Sequence, residues 1–207
     1  RPRAVDTSVY DVLLGNMPAP SAIVHTTRLN LDLLPSTGEL AGAEVELVSM
    51  MAREQRLSRA LGEVEDRYHY IFLDPPPSLG LLTLNALVAA DGVMVPVQAE
   101  YFALEGLSHL VNTLNMVKEQ LNPSLEMVGL LVTLFDGRTN LAADVADELK
   151  QHFAKKVFHT YIPRNVRLSE APSHGSTVFE LDPRSSGAQA YARLSEEFVA
   201  RVGDGTA

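Results

Sequence analysis

The run Tyr70-Ile71-Phe72-Leu73-Asp74-Pro75-Pro76-Pro77-Ser78 sets one carboxylate directly behind three apolar residues. Such a run reads as a buried strand, and an acid at the carboxyl end of a strand in an open α/β sheet lies where ligands bind. There it can orient Mg²⁺ near phosphates, as the strand-end acid of nucleotide hydrolases does. It can equally cap the turn before the Leu-rich helix expected over 79–90. A second group of chemistry-bearing residues lies at 150–170, where Lys150, Lys155, Lys156, Arg164 and Arg167 face only Glu170. That cluster is either a solvated face or a set of phosphate contacts.

Other chemistries are excluded or disfavoured. The chain has no cysteine, so disulfide scaffolds, thiolate zinc sites and iron–sulfur ligation are out. Cysteine-free composition without a signal peptide points to the cytoplasm. The six histidines have no metal-ligand spacing, and Ser78 lacks the Gly-x-Ser-x-Gly elbow of a hydrolase nucleophile. A net charge of −9 argues against a generally basic nucleic-acid binder. The charge is uneven, however. Residues 1–149 hold nine Lys/Arg against twenty Asp/Glu, whereas 150–207 hold eight against six. The longest apolar stretch, 127–135, is far short of the roughly 20 residues a membrane span needs.

Alternating strands and helices must position these groups. Strands are expected at 30–34, 70–74, 93–97, 128–134 and 157–162, with amphipathic helical character over 41–64. Leu104, Leu107, Val111, Leu114, Val117 and Leu121 recur at three- and four-residue steps, predicting a long helix that Asn122-Pro123 stops. Thr139 can cap a helix with Leu141, Val145, Leu149 and Phe153 on one stripe. Ser185 or Ser186 can cap a last helix with Tyr191, Leu194 and Phe198 turned inward. The fold class is α/β, a mainly parallel sheet with helices on both faces, in one domain over 1–207.

Asp74-x-Pro-Pro-Ser78, followed by a helix containing Thr83-Leu84-Asn85-Ala86, resembles the Walker B region of ParA/Soj-type partition ATPases of the MinD/ParA superfamily. Three further segments fall in that family's order: Val95-Pro96-Val97-Gln98-Ala99-Glu100-Tyr101-Phe102-Ala103-Leu104-Glu105-Gly106, Phe135-Asp136-Gly137-Arg138-Thr139-Asn140, and Ile162-Pro163-Arg164-Asn165-Val166-Arg167-Leu168-Ser169-Glu170-Ala171-Pro172-Ser173-His174-Gly175. The resemblance covers roughly residues 68–200 and implies a P-loop NTPase-like fold. One element of the family pattern is missing: none of the thirteen glycines is followed by lysine, so the deviant Walker A loop is absent from this sequence. The chain opens Arg1-Pro2-Arg3 without a methionine, and the expectation is a domain truncated at its N-terminus. It would lack catalytic competence and leave the 70–74 strand edge and an apolar face exposed.

The resemblance implies ATP and Mg²⁺ as cofactors, with Asp74 as the Walker B acid holding Mg²⁺ through water. Pro163, Arg164 and Asn165 would border the nucleotide base; a turn with Asn165 capping the next helix is the other reading. Asp136 and Arg138, at the preceding strand end, pose the same choice. The resemblance also implies an ATP-bound homodimer that binds DNA non-specifically through Arg167 first and Lys155, Lys156, Arg184 and Arg193 next. A centromere-binding ParB-type partner would stimulate hydrolysis, and the protein would be cytoplasmic and nucleoid-associated. Two alternatives are a degenerate, non-hydrolysing DNA- or partner-binding relative, and a MinD-like regulator. The latter needs an amphipathic membrane helix that Val202-Gly203-Asp204-Gly205-Thr206-Ala207 does not supply.

Overall fold

A computed structural model describes residues 6–100 and 103–203, with the backbone alone at 103–105. The Arg1-Pro2-Arg3 start, Tyr101-Phe102, the Leu104 side chain and tail residues 204–207 lie outside the described residues. Contacts group the chain into two compact units, Arg1–Asp91 with Met116–Leu125, and Gly92–Asn115 with Glu126–Ala207.

The first unit contains α1 (Val9–Leu14), α2 (Ala19–Ala22), β1 (Val24–His25), β2 (Asp32–Leu33), α3 (Leu40–Leu47), α4 (Arg56–Leu61) and α5 (Leu81–Ala89). Ser8 and Asp11 form a capping box at the start of α1, which stops at Gly15 in the left-handed conformation, φ 82°. The expected strand at 30–34 is shorter and pairs antiparallel with β1. His25 Nδ1 and the Tyr68 hydroxyl fasten this hairpin by reaching opposite oxygens of Asp32, each at 2.8 Å.

The helical region expected over 41–64 breaks between α3 and α4, where Ala52 takes a left-handed φ of 51°. The cause lies in α5. Asn85, fully buried, donates from Nδ2 to the Arg53 carbonyl (2.8 Å) and accepts the Leu57 N–H at Oδ1 (3.1 Å). It therefore caps α4 from a different helix, a task that Gln55 at the head of α4 does not perform. At the other end of α5, Asn122 Nδ2 shares its protons among the carbonyls of Leu87, Val88 and Ala90. Two buried amides thus hold α5, whose inward positions include Ala86, Leu87 and Val88.

The second unit holds β3 (Gly92–Gln98), most of α6 (Ala103–Gln120), β4 (Glu126–Thr133), α7 (Asn140–Phe153), α8 (Val166–Glu170), α9 (Val178–Leu181) and α10 (Ser186–Val202). β3 and β4 run parallel, Val95 opposite Leu130. Val93 pairs with Met127 but Met94 with Gly129, so Val128 is an extra, bulged residue. The bulge resets the phase of β4. Met127, Leu130 and Val132 pack with α6 and α7, while Val128 and Leu131 pack with α10. Helices therefore cover both faces of a parallel sheet, the expected α/β arrangement. Thr139 caps α7 as expected, its Oγ1 accepting the Ala142 N–H, and Ser185 caps α10. Three positions expected on inward stripes, Leu121, Leu141 and Tyr191, are exposed, and in α7 and α10 Ala142, Ala146 and Ala190 take the inward places.

Two expected strands are not strands. The stretch 157–162 forms no continuous ladder with β4: Val157 bridges Leu130, the Phe158 and Ile162 N–H groups donate to the Leu130 and Val132 carbonyls, and a second isolated bridge, Phe135–Pro163, lies just beyond both segments. Between Phe158 and Ile162 the N–H groups of His159 and Thr160 turn to the two carboxylate oxygens of Glu197 on α10, at 2.7 and 2.9 Å. A ladder cannot continue where a side chain takes its donors. The stretch 70–74 belongs to neither ladder, and Tyr70, Ile71 and Phe72 are exposed, Phe72 by 73%.

Arg201 of α10 completes the second unit. Its guanidinium lies 3.9 Å from the Phe158 ring centre, donates to the carbonyls of Val128, Lys156 and Val157, and pairs with Glu197 at 2.8 Å. The approach is possible because residue 129 is glycine. A Cβ there would lie 2.6 Å from the Lys156 carbonyl oxygen and 2.8 Å from Arg201 Nη1. Gly129→Ala is expected to destabilise the chain by about 2 kcal/mol, since backbone must shift to relieve the clash. Urea unfolding followed by far-UV circular dichroism measures this.

Candidate functional site

Asp74 heads an irregular loop in the first unit. Its carboxylate is exposed and makes no hydrogen bond or ion pair among the described residues. The loop behind it is fastened at two points. Thr83 Oγ1 of α5 donates to the carbonyls of Pro76 and Ser78. Glu44 of α3 reaches the start of α5, where Leu82 N–H donates to Oε1 at 3.4 Å. Gly80 makes room for it, since a Cβ there would lie 2.0 Å from that oxygen. The helix end after Asp74 is therefore filled by a carboxylate, which favours an N–H-rich terminus as an external anion would.

The carboxyl end of the β3–β4 sheet gathers the second set of candidates. Leu134, the residue after β4, adopts φ 51°, a left-handed conformation that costs a branched side chain about 1 kcal/mol. The turn lets Phe135 exchange backbone hydrogen bonds with Ile162 and Arg164 and pack its ring 5.0 Å from that of Tyr161. Pro163 is half-buried beside this bridge. Arg164 is exposed and pairs with Glu100 at 3.4 Å. Asn165 caps α8, its Oδ1 accepting the Arg167 N–H at 2.9 Å while Nδ2 donates to Ser186 Oγ at 2.8 Å. Both ends of its amide are thus engaged by protein.

Asp136 accepts from both Nε and Nη2 of Arg138 and from the Arg138 backbone N–H. These bonds hold its pKa well below the usual carboxylate range. A depressed pKa means the pair contributes above the pKa of an unfolded aspartate and is lost as pH falls through the lowered value. Carboxyl ¹³C titration is expected to show Asp136 ionised when other aspartates have protonated, and Arg138→Ala to return it toward the ordinary range.

The expected DNA contacts occupy different electrostatic settings. Arg167 is paired on both sides, Nη1 to Glu170 Oε2 at 2.8 Å and Nε to Asp182 Oδ2 at 3.5 Å. Lys156 spends its ammonium on the Met127 carbonyl at 2.6 Å. Lys155, Arg184 and Arg193 are exposed, and their charged groups make no hydrogen bond or ion pair among the described residues. Arg184 donates its backbone N–H to Asp182 Oδ1 at 3.2 Å, and its carbonyl accepts from Gln189 of α10.

Residues not singled out from sequence hold these positions. Glu197 and Arg201 set the path of 157–162, Glu44 and Thr83 that of the loop after Asp74, and Glu100 restrains Arg164. The Glu197–Arg201 spacing, i to i+4 on a helix, is visible in the sequence as a charge pair, but nothing local shows what the pair reaches.

Comparison with known proteins agrees with this architecture. A family model described as an AAA domain matches residues 2–127. The chain is 53% identical to the sporulation initiation inhibitor protein Soj of Bacillus subtilis, over 95% of this chain and 78% of that protein. It is 49% identical to the chromosome partitioning protein ParA of Myxococcus xanthus, over 94% and 69%. Among solved structures, cobyrinic acid a,c-diamide synthase of Mycobacterium smegmatis, with bound ATP analogue and magnesium, superposes with a TM-score of 0.80 at 35% identity, covering 95% of this chain and 72% of that one. Sequence relatives and sheet architecture converge: the chain belongs to the ParA/Soj family of partition ATPases.

Proposed function

We propose that this chain acts in DNA segregation, with a DNA-backbone surface on α8–α10 of the second unit and an Mg²⁺-orienting acid, Asp74, in the first. The observation that supports it most is 53% identity to Soj across nearly the whole chain, with the acid-Pro-Pro-Pro-Ser loop intact. In that role an ATP-bound homodimer would sit on the nucleoid in the cytoplasm, released when a ParB-type centromere-binding partner stimulates hydrolysis. No helix among the described residues is long and apolar enough to cross a membrane.

The residues present fit the two cofactors unequally. No group of three or more His, Cys, Asp or Glu among the described residues could hold a metal by itself. That suits Mg²⁺, which keeps several waters and takes one or two carboxylates together with phosphates. Asp74, exposed and without a partner among the described residues, can receive such a hydrated ion. On this reading Pro163 and Arg164 would border a base, and Asn165 would join them only by giving up its cap. Phosphates fit less well. No glycine precedes a lysine, and the Leu82 N–H at the start of α5 already meets Glu44. No hydrolytic step is therefore assigned to these 207 residues.

This favours a second reading beside the first, DNA or partner binding by this chain without nucleotide. Calorimetry with MgATP and the 207-residue chain tests the assignment. The expected result is no saturable heat. Saturable binding at micromolar nucleotide would mean a phosphate site built from other residues, and would overturn the reading of the Asp74 loop.

A further inference from the structure

The family resemblance ranks Arg167 first among the phosphate contacts, yet it is the one most neutralised in the structure. Glu170 and Asp182 take its guanidinium from two sides, and only 53% of its side chain is exposed. Asp182 is fixed independently of Arg167. Its Oδ1 accepts the Arg184 N–H, and its backbone carbonyl accepts from Ser185, the residue that caps α10. Arg184 and Arg193 are exposed, and their guanidinium groups have no partner among the described residues. One carboxylate thus bridges the backbone of a free arginine and the side chain of a neutralised one.

We propose that Asp182 and Glu170 mask Arg167, so that a polyanionic phosphate backbone first engages Arg184 and Arg193 and gains Arg167 only by displacing the two carboxylates. The inference rests on the DNA-backbone reading above and adds the competition within it. Exposed ion pairs are weak, so phosphate can exchange for carboxylate, and each retained acid repels the incoming phosphate. Mask and contact share one surface, which makes the affinity adjustable by the acids without altering the arginines.

The test is fluorescence anisotropy of a mixed-sequence DNA duplex titrated with the 207-residue chain at low salt, with circular dichroism confirming that each variant is folded. Asp182→Asn keeps the side-chain shape and the oxygen that accepts from Arg184, and Glu170→Gln keeps the side-chain length. Each is expected to tighten binding by about threefold in the otherwise native chain. In an Arg167→Ala background the same two substitutions are expected to change Kd little, because the group they mask is gone. Equal tightening in both backgrounds would show general electrostatics and overturn the mask, as would no tightening in the native chain. If Arg167→Ala and the Arg184→Ala/Arg193→Ala pair all leave the affinity unchanged, the DNA-backbone reading itself fails.

Discussion

Arg201→Ala is expected to lower the urea midpoint of unfolding by about 1.5 M. The guanidinium serves three carbonyls, one carboxylate and one aromatic face, and only 19% of its side chain is exposed. Charge-assisted hydrogen bonds are worth about 1.5–3 kcal/mol each when broken, and severing a largely buried ion pair about 3–5. A loss of about 3 kcal/mol allows for water reaching the vacated site, and at a slope of roughly 2 kcal/mol per molar urea it gives the stated shift. Arg201→Lys is expected to recover less than half, because an ammonium cannot serve diverging acceptors as a planar fork does. Amide exchange separates this from a diffuse defect: His159 and Thr160, held by Glu197, should lose protection before the centre of β4 does.

The same cluster carries a pH signature. Burial raises the Glu197 pKa, but the N–H bonds of His159 and Thr160 and the Arg201 pair more than offset it, so the net shift is downward. Glu197 therefore stabilises fully above the pKa of an unfolded glutamate, and that share fades as pH falls through the lowered value. Glu197→Gln should remove this part of the acid limb.

Asn85→Ala is expected to cost about 3 kcal/mol, as much as a sizeable core truncation. It removes the cap of α4 and leaves the Leu57 N–H and the Arg53 carbonyl without partners in the interior, each worth about 1–3 kcal/mol. Asn85→Asp preserves volume and the acceptor for Leu57 but presents a second oxygen to the carbonyls of Arg53 and Leu81, which now accept from Nδ2. It should cost more than alanine at neutral pH, and the deficit should shrink on acidification as a protonated carboxyl regains one donor. Urea titrations of both variants at neutral and mildly acidic pH read this out.

These two residues also show where the sequence was legible. Elements fixed by their own residues were readable: β3 and β4 from unbroken apolar runs, α6 from its three- and four-step periodicity and Asn122-Pro123 stop, and α7 from the Thr139 cap. Elements decided by a distant side chain were not. The 157–162 run has the composition of a strand, but Glu197 takes its donors from nearly forty positions away. The 41–64 run is helical in pattern, but Asn85 restarts it at Arg56. The candidate site divides in the same way. Asp74 and the basic residues could be named from sequence. That Arg167 and Lys156 are already engaged, that Asn165 is a working cap and that Glu44 fills the start of α5 depend on neighbours that no local pattern reveals.

The most direct test of a role in DNA segregation is a salt titration of duplex DNA binding with two unrelated sequences. Equal affinity for both is expected, with log Kd rising against log salt by roughly 0.9 per phosphate contact, about three units if Arg184, Arg193 and an unmasked Arg167 all engage. Absence of binding at low salt, or a strong preference for one sequence with little salt dependence, would contradict it.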